Sequence, residues 1–417
     1  MHITGIIAEY NPFHNGHLYH IKNTKSRTQT DYIIAVMSGD FVQRGEPAII
    51  DKYTRAKMAL LGGADMVIEL PTIWATSSAP DFASGAVALL DKLGCISALS
   101  FGCEFENANL LDEISDILYV EPDVYKTTLK EALKEGETFA KAKAIAISKA
   151  LKDKDYDDEE LSGILKAPNT LLALEYIRKI KERNSIIFPV IIKRYGSEHT
   201  DSKLSAKYTS AASIRKHLYN HPSAMFSLKD VMPSSSYELM GQYLSEKAPL
   251  YADDFSMALS YRLATMNKDE IEDMASSGRE LSRRISSMCD EFTQWTTFCK
   301  SIKSKNFTYS RISRLMTAIL LDKKKEILDK AKEYDYVPYA RILGFKKNSA
   351  SKLMRYLKEH TQIPLITSPS DAVMQLSPDD FKLFEFDMKA AAIYNSVITQ
   401  KTKIPCQNEY RKALITV

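Results

Sequence analysis

Five short apolar runs, "ITGIIAEY", "DYIIAVMS", "DMVIELP", "ISALSFG" and "IIFPVIIKRY", punctuate the first half of the chain, with amphipathic stretches such as "KYTRAKMALLGGA", "ASGAVALLDKLG" and "TLLALEYIRKIKER" between them. Near-continuous apolar runs of this length read as strands buried on both faces, and apolar residues recurring every three or four positions read as helices. Their alternation predicts βαβ units, and so an α/β, Rossmann-like domain with a mainly parallel sheet covered on both sides. Ligands of such sheets sit beyond the carboxyl ends of the strands. After about Asn220 the strand signals fade. "SSSYELMGQYLSE", "DDFSMALSYRLATMN", "KDEIEDMASSGRELSRRISSMCDEF", "TYSRISRLMTAILLDKKKEILDKAKEY" and "KNSASKLMRYLKEH" read as successive helices, and Pro222 and Pro233 with their neighbouring serines mark a boundary. The expected organisation is an α/β domain over 1–225 and an all-α domain over 226–417. "KDKDYDDEE" (152–160) reads as an acidic surface loop leading into a helix.

A chain of 417 residues is long for one hydrophobic core, and 45% apolar with 26% charged residues is an ordinary globular composition. No apolar run has the length of a membrane span, and the first strand lacks the flanks of a signal peptide, so a cytoplasmic protein is expected. Cys95, Cys103, Cys289, Cys299 and Cys406 are scattered and form no CxxC pair, which argues against disulfides and structural zinc. Net charge is only +3, but Ser301 to Lys358 holds 15 Lys or Arg against 5 Asp or Glu, an excess of ten that suits a polyanion as well as a solvated face.

The segment "GIIAEYNPFHNGHLYHI" (5–21) is a strand-to-helix turn carrying three histidines. His14 and His17 could share a metal, but no third ligand stands at a suitable spacing, so no metal site is expected. His20 resembles a packed histidine at the edge of the site. His14 and His17 flank Gly16 in a polar turn and fit a phosphate site. A helix start offers N–H groups and a partial positive charge, glycine permits close approach, and imidazoles can donate to phosphate oxygens. Such donors favour a transition state in which charge builds on those oxygens.

"HNGH" also matches the HxGH signature of the nucleotidyltransferase superfamily, and "YTSAASIRKHL" (208–218) resembles its second signature, near ISSTxIR. Arg215 would neutralise the leaving phosphates and Ser210 would donate to one of them, against the alternative of an ordinary capped helix. Ala212 replaces the signature threonine, leaving its hydroxyl absent or supplied by Ser213. "MSGDFVQRGEPAIIDKYTRAKMALLGGADMVIELP" (37–71), "FGCE" (101–104), "APNTLLALEYI" (167–177), "IKRYGSEHTD" (192–201), "IKSKNFTYSRISRLM" (302–316) and "PYARILGF" (338–345) resemble the bacterial tRNA(Met) cytidine acetate ligase family across nearly the whole chain.

The resemblance implies a two-step reaction. Acetate attacks the α-phosphorus of ATP to give acetyl-adenylate and pyrophosphate. The N4 amine of the wobble cytidine (C34) of elongator tRNA(Met) then takes the acetyl group, giving N4-acetylcytidine and AMP, without acetyl-CoA. ATP would carry Mg²⁺. By position, His14, His17 and Arg215 would be catalytic. The ATP site would be lined by Ile7, Ala8, Glu9, Tyr10, Asn11, Pro12, Phe13, His14, Asn15, Gly16, His17, Leu18, Tyr19 and His20, with Gly102, Asn169, Arg194 and Ser210. For Gly102 a simple turn, and for Asn169 a plain N-cap, are the local alternatives. Asp40, Gln43 and Arg44 are candidates for holding acetate or cytidine; Arg44, Lys52 and Arg55 read equally well as solvated charges. Lys303, Lys305, Arg311 and Arg314 would contact tRNA, Arg311 and Arg314 sharing one helix face. "KNFT" departs from the family's "KRYT", which leaves Asn306 without a role. The competing functions are a small-molecule nucleotidyltransferase and a non-catalytic tRNA-binding or assembly factor. The oligomeric state is not legible.

Overall fold

The computed structural model describes residues 1–151, 158–195 and 208–417. The first half supplies β1 (Ile3–Ala8), β2 (Tyr32–Ser38), the short pair β3 (Phe41–Val42) and β4 (Glu46–Pro47), β5 (Met66–Leu70), β6 (Ala98–Cys103) and β7 (Phe188–Lys193). β5, β2, β1, β6 and β7 lie side by side in that order, all parallel. β1 and β2 are almost wholly buried, which is why their sequences are continuously apolar rather than alternating. The chain winds outward from β1 to β2 and β5, then returns to β6 and β7 on the other side. The crevice where the order reverses therefore opens at the carboxyl ends of β1 and β6.

The second half is helical, as its pattern predicts, but it also contributes three short strands to the same sheet. β8 (Ala340–Phe345) runs antiparallel to β5, and β9 (Leu365–Ile366) and β10 (Ile415–Thr416) pair parallel to β8. β8 is the "ARILGF" of the family-like stretch "PYARILGF". Arg341 interrupts its apolar run and hides the strand, although that side chain is only 4% exposed. Helix Pro378–Thr402 packs into the larger core, where Tyr394 meets Phe41 and Phe255, so one core draws on residues from both halves. The acidic stretch beginning at 152 lies mostly outside the described residues, as does most of "GSEHTD".

A buried ionic cluster joins the halves. Lys52 Nζ lies 2.9 Å from Glu69 Oε1, 3.4 Å from Glu409 and 3.8 Å from Asp40, and Arg341 pairs with Glu69 at 2.9 Å and with Glu409. Lys52 is 1% exposed and Arg55 0%, so neither is the solvated charge that sequence alone allowed. Asp40 belongs to this cluster, where burial raises its pKa to about 6 against the pull of Lys52. It is thus no candidate for holding acetate or cytidine. Breaking one partner of such a cluster strands an uncompensated charge. Glu409→Gln is expected to destabilise the protein by about 3 kcal/mol, read as a lowered urea midpoint at unchanged slope.

Candidate active site

The first helix, Asn15–Thr28, begins directly after β1 and the turn, and two histidines cap it reciprocally. The Gly16 N–H donates to His14 Nδ1 at 3.0 Å, and the His14 N–H donates to His17 Nδ1 at 3.2 Å. The rings stack with centroids 3.7 Å apart. A Cβ at Gly16 would lie 2.8 Å from His14 Cε1, so the glycine leaves the room in which the His14 ring folds back. The other first-turn amides are also taken: Asn15 donates to the Val231 carbonyl at 3.0 Å, and His17 and Leu18 donate to the His14 carbonyl at 2.9 and 3.2 Å. The free N–H groups expected at this helix start are therefore occupied, and the rings themselves are what it offers.

Burial, reinforced by Arg194 and Arg215, lowers His14 to about 3; burial, His14 and Arg194 hold His17 well below the ordinary histidine range; and His20 falls to about 4 by burial beside Arg194. All three are neutral at physiological pH. Because each Nδ1 of His14 and His17 accepts an N–H, each neutral ring carries its proton on Nε2 and is a donor there. His20 is tied through Nε2 to Ser100 Oγ at 3.0 Å, which meets Thr24 Oγ1 at 2.7 Å. Tyr10 (φ 49°) and Phe13 back the His17 ring at centroid distances of 4.9 and 5.5 Å; a left-handed tyrosine costs on the order of 1 kcal/mol and marks a locally imposed geometry.

Two adjoining chambers meet at these rings. The inner, about 260 Å³, is lined by Ile7, Ala8, Glu9, Tyr10 and Asn11 from the end of β1, by Gln43 and Arg44, by an apolar wall that includes Phe82, Phe101, Leu172 and Tyr176, and by Ala211, Ala212 and Arg215. The outer, about 750 Å³, is lined by Gly16, Tyr19, Glu104, Phe105, Lys166, Tyr195 and Tyr208 among others. His14, His17, His20, Gly102, Asn169, Arg194 and Ser210 line both. Of the residues expected at the nucleotide, Pro12, Phe13, Asn15 and Leu18 line neither chamber. Phe13 is fully buried beneath His17, Asn15 Nδ2 donates to the Asp230 carbonyl at 2.8 Å, and Leu18 packs on the smaller core.

The remaining side chains are fixed from several elements. Gly102 is in β6 rather than a turn, and a Cβ there would lie 3.1 Å from Arg194 Cγ, so its bareness lets the arginine stem cross the strand end. Asn169 is not the N-cap of helix Pro168–Glu182, which is Ala167. Its amide donates to Glu104, whose carboxylate also accepts from Thr170 N at 2.8 Å and Thr170 Oγ1 at 2.7 Å. Ser210 caps helix Ala211–Asn220 through the Ser213 N–H. Ser213, 5% exposed, lines neither chamber and does not replace the missing threonine hydroxyl there. Among the described residues the Ala211 and Ala212 amides find no acceptor, so this helix supplies the open N–H groups. Arg215 donates to the Asn11 carbonyl at 2.8 Å, tying the second signature to the first. Tyr195 and Tyr208, both packed edge-on against Tyr19 at 5.6 and 5.5 Å, were given no role in the sequence, although each lies inside one of the family-like stretches. Among the described residues no three His, Cys, Asp or Glu side chains converge as metal ligands, and none of the helices is long and apolar enough to cross a membrane.

The basic stretch reaches the same crevice. Helix Tyr309–Leu321 rests on the loop that carries Gln43 and Arg44: Ser313 Oγ donates to the Gly45 carbonyl at 2.6 Å, and a Cβ on Gly45 (φ 73°) would lie 2.3 Å from Arg314 N. Arg314 is therefore beside the inner chamber's rim, with Arg311 one turn earlier over the Phe307 ring at 5.3 Å. Lys303 and Lys305 are exposed on the loop before the helix, and Lys305 Nζ donates to the Gly136 carbonyl at 2.9 Å.

A profile described as HIGH Nucleotidyl Transferase matches residues 1–409. The tRNA(Met) cytidine acetate ligase of Thermoanaerobacter sp. (strain X514) is 41% identical over 395 residues, 94% of this chain and 95% of that one. That of Thermosipho melanesiensis is 35% identical over 431 residues, 100% and 99% of the two chains. The crystal structure of apo Thermotoga maritima TmcAL superposes with a TM-score of 0.93 at 31% identity, covering 100% of both chains. The same protein bound with alpha-thio ATP gives 0.91 at 30%, again over 100% of both chains.

A histidine whose folded pKa lies below its unfolded value near 6.5 contributes stability that is present above 6.5 and lost as pH falls toward the folded value. His14 should add about 1.4 kcal/mol of instability per pH unit across that window. Stability from urea unfolding is expected to fall between pH 6.5 and 4, and His14→Asn, which keeps a capping acceptor, should flatten that fall by one histidine's share.

Proposed function

The chain belongs to the tRNA(Met) cytidine acetate ligase family of HIGH nucleotidyl transferases, and we propose on that premise that it activates acetate with ATP and transfers the acetyl group to N4 of the wobble cytidine of elongator tRNA(Met). One observation carries the mechanism: two stacked imidazole rings, each with its Nδ1 tied to a backbone N–H and its Nε2 left to donate, stand on the border shared by an aromatic chamber and an apolar-walled one. Adenine takes the outer chamber among Tyr19, Tyr195 and Tyr208, and the phosphates lie along the border. His14, His17, Arg194, Arg215 and the amides of Ala211 and Ala212 meet their oxygens there. Acetate enters the inner chamber and attacks the α-phosphorus as pyrophosphate leaves. Donors placed at that point act on developing charge, and losing one typically costs about a hundredfold or more in rate.

Mg²⁺ would arrive on the phosphate oxygens of the ATP that normally carries it. Acetate, rather than acetyl-CoA, is the acetyl donor, and no step needs a protein nucleophile. Residues 1–225 carry the catalytic site, and 226–417 grip the tRNA through Lys303, Lys305, Arg311 and Arg314, in the cytoplasm. The docking of helix Tyr309–Leu321 against the Gln43–Glu46 loop supports that division, because RNA held by the helix lies next to the chamber.

Incubation with ATP, labelled acetate and total tRNA tests the reading. Label in elongator tRNA(Met) without acetyl-CoA is the expected result. Nucleotidylation of a phosphorylated metabolite would support the small-molecule transferase instead, and tRNA binding without ATP turnover the assembly factor. Phosphate contacts release counterions, so replacing Arg311 and Arg314 together with Gln should weaken tRNA binding and reduce the slope of log K against log salt by about one to two, without changing ATP affinity.

A further inference from the structure

The second step needs a proton acceptor. As the cytidine N4 attacks the carbonyl carbon of acetyl-adenylate, a C–N bond forms, the C–O bond to the adenylate phosphate breaks, and AMP leaves with the electron pair. N4 must shed one proton. Resting on the acetate ligase reading, we propose that Glu9 is the general base that takes this proton and passes it to water.

Of the described residues lining the inner chamber, Glu9 is the one carboxylate. Its place is fixed on two sides. Arg55 Nη1 donates to the Glu9 carbonyl at 2.7 Å, and the Gln43 N–H donates to Oε1 at 3.0 Å. Oε2 has no partner among the described residues, and Glu9 is part-exposed on the chamber wall. Of the nearby carboxylates, Glu104 accepts from Asn169 and twice from Thr170, Asp40 lies in the ionic cluster with Lys52, and Glu46, close enough to feel Arg215, Arg44 and Glu9, lines neither chamber. His14 and His17 cannot serve, because each Nδ1 already accepts a backbone N–H and each Nε2 is protonated.

Phe82, Phe101, Leu172 and Tyr176 line the same chamber and offer apolar surface for the methyl group, and Glu9 stands close enough to Tyr176 to act on its hydroxyl electrostatically. Arg44 and Arg215 line the same chamber, so a carboxylate beside a departing nucleotide is electrostatically compensated.

The test separates the two steps in the full-length protein with an elongator tRNA(Met) transcript. Acetyl-adenylate formation is followed by pyrophosphate release, and transfer by single-turnover acetylation of the tRNA. Glu9→Gln is expected to slow transfer by about a hundredfold or more, and by at least about tenfold more than it slows acetyl-adenylate formation, so that the intermediate accumulates. Glu9→Asp, which keeps a carboxylate, should recover part of the transfer rate. Equal losses in both steps, or transfer at the wild-type rate in Glu9→Gln, would overturn the assignment. Failure of the unmutated protein to form acetyl-adenylate would overturn the acetate ligase reading itself, and is visible without any variant.

Discussion

The reciprocal histidine cap at the end of β1 is the constraint from which the site's chemistry follows. A helix start normally leaves four N–H groups for solvent or ligand. Here His14 and His17 take two backbone donors through their Nδ1 atoms, and the remaining first-turn amides bond to nearby carbonyls. One interaction thereby does three things. It finishes the helix, fixes both ring orientations, and decides the tautomer, since a neutral imidazole accepting at Nδ1 must donate at Nε2. Gly16 is the steric condition for all of this, because any side chain there would collide with the capping ring.

The cap is useful only if the strand ends beneath it are rigid, and buried charge supplies that rigidity. Arg55 donates to the carbonyls of Glu9 at 2.7 Å, Ser38 at 2.9 Å and Ile50 at 3.0 Å, and also to that of Gly39, so one guanidinium gathers the carboxyl ends of β1 and β2. One step away, Lys52, Glu69, Arg341 and Glu409 bind β5 to β8 and to the C-terminal tail. Such clusters are weak evidence for net stability, because desolvation offsets much of their attraction. What they do join is distant chain: Lys52 and Glu69 from the first half with Arg341 and Glu409 from the second, while the helix carrying Arg311 and Arg314 is held to the Gly45 loop by its own contact through Ser313.

What the sequence disclosed tracks what is local. The strand, the turn and the helix with its capping histidines all lie between Ile3 and Thr28, and the alternation of short apolar runs is a property of neighbouring positions. Long-range partnership is different. Lys52 and Arg55 looked like surface charges because nothing near them in sequence reveals Glu69, Glu409 or the strand-end carbonyls. β8 escaped detection because Arg341 breaks a six-residue run whose burial depends on carboxylates elsewhere. The same limit applied within the site. A plain N-cap was the local alternative for Asn169, but Glu104 from another element serves that helix start, and among the described residues the amides without an acceptor are those of Ala211 and Ala212 rather than of Gly16.

The depressed histidine pKa values have a mechanistic logic of their own. Stacked rings 3.7 Å apart cannot both be cations without strong mutual repulsion, and Arg194 and Arg215 add to it. A pair of imidazolium ions would also bind triphosphate and pyrophosphate tightly in the ground state, a uniform gain that deepens binding without lowering the barrier. Neutral donors behave otherwise. In the proposed displacement, their hydrogen bonds to phosphate oxygens would strengthen as negative charge accumulates, so more of the interaction would be realised at the transition state. In the proposed reaction Arg194 and Arg215 would supply the positive potential that draws the nucleotide in, and the capped histidines, kept uncharged by burial, would discriminate between bound and reacting substrate.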